Sequence, residues 1–314
     1  PVLNALRRAH ARGVRVRALF DIAFADRNAD SLERLLPYGV EVQLTRAWKS
    51  GGGVQHAKYM VVDGERLYLG SANFDWRSLA HIHEWGALIE NRAMASGLMA
   101  VFEHDWAHRD EERGAGFDPG DTWSPWARLR DGTTVKLLVS PGTEVAPRYR
   151  EIEVLDAMLG QAQRTLFVQL LNYDAAYRDG SPWPLLDRAL RAAAARGVRV
   201  ELLLSHWQAK NMDAVQSLQR VEGVDVRLAT IPEATTGFIP YARVIHAKFA
   251  VVDGERGWVG TSNWKGDYFE RGRNLALHLV GPAAAALNDT FRKGFDGPYA
   301  EPVDPDRNYV PANK

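Results

Sequence analysis

Two stretches of this chain carry the same polar residues at the same intervals: HAKYMVVDGERLYLGSAN from His56 to Asn73, and HAKFAVVDGERGWVGTSN from His246 to Asn263. Each places a Lys two residues after its His, an Asp seven after and an Asn seventeen after. Residues two apart on a strand share a face, so His56 points with Lys58 and His246 with Lys248. Asp63-Gly64, ahead of Leu67-Tyr68-Leu69, is a turn signal. It doubles the chain back as a hairpin and returns Gly70, Ser71 and Asn73 to the side of the first strand. An imidazole, a cation and an amide therefore meet in each copy, as groups that converge on a phosphate.

A phosphodiester asks for a nucleophile on one side of phosphorus and a proton donor for the departing oxygen on the other. Two motifs supply two imidazoles, and with an ordinary pKa of about 6.5 one can be neutral while the other is protonated. Lys58, Lys248, Asn73 and Asn263 are then placed to hold the non-bridging oxygens, whose charge spreads further in the transition state. This arrangement calls for no metal ion and no cofactor. Asp63 and Asp253 are read as braces for the turns and the neighbouring strands.

The duplicated pattern H-x-K-x4-D-x6-G-[ST]-x-N resembles the HKD motif of the phospholipase D superfamily. The resemblance implies that one motif His attacks phosphorus to give a covalent phosphohistidine, that the other protonates the leaving group, and that water or an alcohol releases the product. It also implies that Glu84, twenty-eight residues after His56, orients the first imidazole through Nδ1–H and leaves Nε2 free. On that footing His56 is the expected nucleophile and His246 the general acid. Asn274 occupies the equivalent place after His246 and departs from an acidic partner. SANFDWRSL from Ser71, IPYARVIHAKF from Ile239 and GTSNWKGDYF from Gly260 resemble the branch of mammalian phospholipase D isoforms three and four. LLVSPG from Leu137 and LNYDAAY from Leu171 are weaker echoes. That branch implies a 5′-directed exonuclease on single-stranded DNA or RNA; the lack of cysteine departs from its disulfide-bearing members. A phospholipase or phosphatidyltransferase and an inactive phosphate-binding module are the alternatives.

Ser71 and Thr261 sit where they could touch substrate. Among the aromatic residues near the motifs, Tyr68, Trp76, Tyr241, Trp264 and Tyr268, the last residues flanking the second motif, Tyr241 and Trp264, are the expected stacking or headgroup contacts. His81-Ile82-His83 puts two imidazoles on one strand face but has no second ligand cluster beside it.

The elements that must position these groups also repeat. ALRRAHARGVRVRALF from Ala5 returns as ALRAAAARGVRVELLL from Ala189, each an amphipathic helix ended by Gly and followed by a Val-rich strand. Helix then strand recurs at 31–44 and at 212–228, so the expected fold is α/β. It consists of two similar halves, each a mixed, mostly parallel sheet flanked by helices, related by a pseudo-twofold axis with the site at their interface. The halves are read as 1–107 and 134–314, joined by a Gly-, Pro-, Asp- and Arg-rich linker over 108–133. Only the second half has strands before its repeated helix, over 135–139 and 165–171. The first half is therefore expected to lack an initial strand-helix-strand and to expose a sheet edge that could recruit a second copy.

Among 314 residues, 46% are hydrophobic and 25% charged, which excludes a disordered chain and allows two cores. No apolar run reaches the length of a membrane-spanning helix. Zero cysteines exclude disulfides and thiolate chemistry. They leave the compartment open, extracytoplasmic included, with room for a targeting segment ahead of Pro1. A net charge of +0 supplies no global basic field, so a nucleic acid would be held locally at the site.

Overall fold

A computed structural model describes residues 1–26, 29–112 and 116–311. The first half runs α1 (Val2–Ala11), β1 (Arg17–Asp21), α2 (Ala29–Leu35), β2 (Glu41–Thr45), β3 (Tyr59–Val62), β4 (Arg66–Gly70), α3 (Trp76–Ala80), β5 (Gly86–Glu90) and α4 (Arg92–Ala107). It is followed by β6 (Trp126–Arg128), β7 (Thr134–Ser140), α5 (Glu151–Gly160), β8 (Thr165–Leu170), α6 (Leu185–Ala195), β9 (Arg199–Ser205), α7 (Asp213–Gln219) and β10 (Val224–Ala229). The chain closes with β11 (Lys248–Val252), β12 (Arg256–Gly260), α8 (Gly266–Glu270), β13 (Asn274–Val280), α9 (Pro282–Phe295) and β14 (Ala300–Pro302).

Nine strands form one sheet in the order β14-β10-β9-β8-β11-β12-β13-β7-β6. The α/β class and the mixed sheet are as expected, but antiparallel pairs outnumber parallel ones in the large sheet. Parallel pairing is confined to β8-β9-β10 and to β1-β2. Each motif contributes a hairpin, β3-β4 or β11-β12, and hairpins are antiparallel by construction. Their turns have φ of 55° and 66° at Asp63 and Gly64, and 55° and 73° at Asp253 and Gly254, the left-handed conformation that makes glycine the natural second residue.

In the second half β8 pairs with both β9 and β11, welding the parallel unit to the motif hairpin. No described strand plays that part in the first half, where β1-β2 and β3-β4-β5 are separate sheets. The packing follows. Helix α6 buries Leu186, Leu190, Ala193 and Ala194, whereas α1, of similar sequence, has no fully buried residue.

One face of the large sheet packs under α5, α6 and α7, with Leu155, Leu190 and Val215 in that layer. The other face joins the two halves: Leu67, Leu69 and Ile89 pack in one cluster with Leu137, Phe249, Leu277 and Phe291. The segment 108–133 is more than a linker. Phe117 and Trp123 are buried in this shared cluster, Trp123 Nε1 donates to the Gly97 carbonyl (3.2 Å), and β6 adds an edge strand to β7. Gly and Pro punctuate this stretch but do not stop its aromatic residues from burying.

Candidate active site

The site forms where the two halves clasp each other's backbone. His56 N–H donates to the Arg273 carbonyl (2.9 Å) and Arg273 N–H to the Val54 carbonyl (3.1 Å). On the other side His83 N–H donates to the Val244 carbonyl (2.9 Å) and His246 N–H to the His83 carbonyl (2.8 Å). Gln55 thus bridges Arg273, and His83 bridges Ile245, both in parallel register. The approach is so close that a Cβ on Gly53 would lie 1.6 Å from the Arg271 carbonyl oxygen.

This clasp crosses the partners of the imidazoles. Glu84 does not orient His56: both its carboxylate oxygens lie 2.9 Å from His246 Nδ1. His56 Nδ1 lies 3.0 Å from Asn274 Oδ1 instead. Each orienting residue follows its own motif in sequence but crosses the interface to serve the other one. The Asn274 amide donates through Nδ2 to the Tyr268 carbonyl (2.7 Å), which identifies Oδ1 as the acceptor. His56 therefore carries its proton on Nδ1 and turns an unprotonated Nε2 to the site.

Ser71 and Thr261, expected beside substrate, are both buried behind the orienting groups. Ser71 Oγ donates to Glu84, and Thr261 Oγ1 donates to Asn274 Oδ1 (2.9 Å). They hold the carboxylate and the amide in place. Lys58 and Lys248 are buried and donate to the backbone carbonyls of His56 and His246. Asn263 is buried with Oδ1 unpartnered, whereas Asn73 is exposed. Tyr268 meets His56 edge-on, with ring centroids 5.1 Å apart.

Burial dominates the electrostatics. It lowers the His56 pKa well below its ordinary value, and the charges of Lys58, Lys248 and His246 push the same way. Burial and Lys248 hold His246 down to about 4, against the opposing pull of Glu84. Lys248 itself is pushed down to about 7 by burial. Burial raises Glu84, but the His246 hydrogen bond and the nearby Lys248 charge outweigh it and leave the carboxyl below its ordinary value. An incoming phosphate anion would relieve this concentration of positive charge and favour protonated His246.

Trp264, expected as a stacking or headgroup contact, lies inside the core instead. It is fully buried, packed 6.3 Å from Trp258 in the layer beneath α5 and α6. Tyr241 is exposed, its ring edge-on to Trp207, and its neighbour Arg243 donates from the backbone to the His81 carbonyl (2.9 Å). The two imidazoles of His81-Ile82-His83 diverge, one against Trp76 and the other against Gln169. Asp253 accepts from the backbone of Gln163, Arg164 and Thr165 (3.1, 2.8 and 2.9 Å), while Asp63 has an exposed pairing with Arg66 at 4.0 Å.

Asp105 and Arg273 escaped the reading of the sequence. The available signal was Asp105 itself, a carboxylate in line with Leu98 and Val101 on the apolar face of α4, where an unpaired charge is costly.

A family model described as "Cardiolipin synthase, PLD-like domain" matches residues 1–106 and 155–296. The chain belongs to the PLD-like domain family. This PLD-like protein is 33% identical to Phospholipase D Z of Dictyostelium discoideum, over 96% of this chain and 76% of that one. It is also 33% identical to the human 5′-3′ exonuclease PLD4, over 86% of this chain and 59% of that protein. The bovine 5′-3′ exonuclease PLD3 is 30% identical over 96% of this chain and 68% of its own length. Among solved structures, phosphatidylserine synthase of Haemophilus influenzae superposes with a TM-score of 0.64 over 94% of this chain and 75% of that one. At 13% identity the likeness is one of fold.

Proposed function

We propose that this PLD-like protein is a phosphodiesterase that works through a covalent phosphohistidine on His56, with His246 as general acid. The observation that carries the division of labour is the difference between the orienting groups. Asn274 fixes the His56 tautomer without placing a carboxylate on it, so the imidazole stays neutral with its Nε2 lone pair available. Glu84 stabilises a positive charge on His246, the property a proton donor needs. The expected assignment is kept, for the opposite physical reason.

In the first step His56 Nε2 bonds to phosphorus, the bond to the leaving oxygen breaks, and the His246 proton passes to that oxygen. In the second step neutral His246 takes a proton from water as the water oxygen bonds to phosphorus. The P–N bond breaks and its electron pair returns to His56. Lys58, Lys248, Asn73 and Asn263 hold the non-bridging oxygens. No step is routed through a metal.

The preferred substrate is single-stranded nucleic acid, entered from a 5′ end. Exposed Trp76 packs edge-on to His81, and exposed Tyr241 lies two residues before Arg243, whose N–H donates to the His81 carbonyl. Both can offer stacking surfaces near the segment that carries Glu84, and two relatives are named 5′-3′ exonucleases. A lipid phosphodiester is the second reading, favoured by the name of the Dictyostelium relative. The test is turnover in chelator at mildly acidic pH of 5′-hydroxyl single-stranded DNA and of phosphatidylcholine vesicles, with an alkaline quench to retain phosphohistidine. Stepwise mononucleotide release and alkali-stable label on the protein are expected, both absent in His56→Ala. Choline release with intact DNA would move the activity to lipid, and turnover by His56→Ala would end the mechanism.

A further inference from the structure

Behind the His56–Asn274 pair lies a buried carboxylate–guanidinium pair that has no counterpart behind His246 and Glu84 among the described residues. Arg273 is fully buried, and Asp105 nearly so. Arg273 Nε lies 3.1 Å from both Asp105 oxygens, and Nη2 lies 3.0 Å from Oδ1. Arg273 Nη1 also donates to the Ser140 carbonyl (3.3 Å), and the guanidinium lies 5.0 Å from the centre of the Trp48 ring. Asp105 accepts a further bond from Gln55 Nε2 (2.8 Å). Gln55 precedes His56, and Arg273 precedes Asn274. One carboxylate on α4 therefore holds the residue before each member of the His56–Asn274 dyad. At the corresponding place before Glu84 stands His83, whose ring meets the neutral Gln169 amide at 3.3 Å.

We propose that Asp105 is a positioning residue that sets His56 against Asn274, acting through Gln55 and Arg273, and so fixes the Nδ1–H tautomer required for attack. An amide holds an imidazole by a single neutral hydrogen bond, weaker than the contact of both carboxylate oxygens with His246. Its geometry depends correspondingly more on the backbone around it. A buried ion pair is weak evidence for added stability, and registry between two elements is its best-attested use. The inference rests on His56 being the nucleophile.

The experiment compares Asp105→Asn, Gln55→Leu and Glu84→Gln with the parent chain. Long-range ¹⁵N–¹H spectra report the His56 tautomer directly, independently of turnover. Two thymidine phosphodiesters, one with a p-nitrophenolate leaving group and one with a nucleoside leaving group, report which step suffers. Asp105→Asn is expected to mix the His56 tautomers and to slow both substrates by a similar factor, about 10²-fold, because a misplaced nucleophile hurts any leaving group. Glu84→Gln should slow the nucleoside substrate far more, since p-nitrophenolate departs without a proton. A folded Asp105→Asn that keeps His56 as Nδ1–H, or that slows only the nucleoside substrate, would overturn the proposal. If Asp105→Asn does not fold, Gln55→Leu decides by the same two readouts, as it removes one of the two links and leaves the ion pair in place. Turnover by His56→Ala would defeat the reading of the nucleophile while the spectra still judged the positioning.

Discussion

His246, the proposed general acid, has its pKa in the free protein held down to about 4 by burial and Lys248 and raised only in part by Glu84. Burial lowers the His56 pKa well below 6.5, so its imidazole is neutral at that pH and above. The profile of kcat/KM follows the free protein, so its alkaline limb, set by loss of the His246 proton, should fall on the acid side of pH 6.5. Removing the Glu84 carboxylate lowers the His246 pKa further. Glu84→Gln is thus expected to shift that limb to lower pH and to cut turnover of a nucleoside leaving group by about 10² to 10⁴. A pH–rate series on the two proteins measures both effects; an unshifted limb would take the carboxylate out of the acid step. At this scale the histidines, lysines and asparagines of both motifs were legible from their duplicated intervals. The crossing of Glu84 to His246 was not, because it depends on how two halves face each other. The burial of Trp264 was not legible either, because nearness to a motif in sequence does not say which way a ring points.

The two motif hairpins are near copies with different neighbours. Asp253 ties its turn to three backbone N–H groups at the start of β8, whereas Asp63 has an exposed contact with Arg66. Hydrogen bonds to a charged acceptor are worth more than neutral ones, so Asp253→Ala is expected to cost about 2 kcal/mol. Both residues hold φ of 55°, so alanine brings each turn a further backbone cost of about 1 kcal/mol, and Asp63→Ala should lose that much alone. Denaturant midpoints of the two variants check this, and equal losses would remove the structural distinction. The hairpins, the repeated helix-strand pairs and the α/β class were all visible in the sequence through turn residues and periodicity. The direction of strand pairing was obscured because a Val-rich run buried on both faces looks the same in a parallel or an antiparallel place.

Across the whole molecule, the apolar sides of β4 and β5 are covered by residues of the second half, in one cluster with Leu137, Phe249 and Leu277. Within the first half α4 also packs there, through Met94, Leu98 and Val101, but α1 has no fully buried residue and β1-β2 is a two-stranded sheet. Small sheets of this kind are marginal alone. Residues 1–107 expressed by themselves are expected to show no cooperative thermal transition, while the full chain melts as one unit. Circular dichroism on both samples decides it, and a sharp melt of the fragment would mean that the shared core is dispensable. Two copies of a motif suggest two self-sufficient domains; that they share a core comes from alternate residues of central strands, which a linear reading assigns only to "inside".

Because the orienting residues cross, neither half contains a working imidazole with its own support. A polypeptide holding one such half, from before the duplication written into the two motifs, would have been chemically mute until it met another. Its activity would have risen with the square of its abundance at low concentration. Joining the copies in one chain replaced that dependence with a fixed local concentration. Within one chain the two orienting positions are also free to differ, and here one holds a carboxylate and the other an amide.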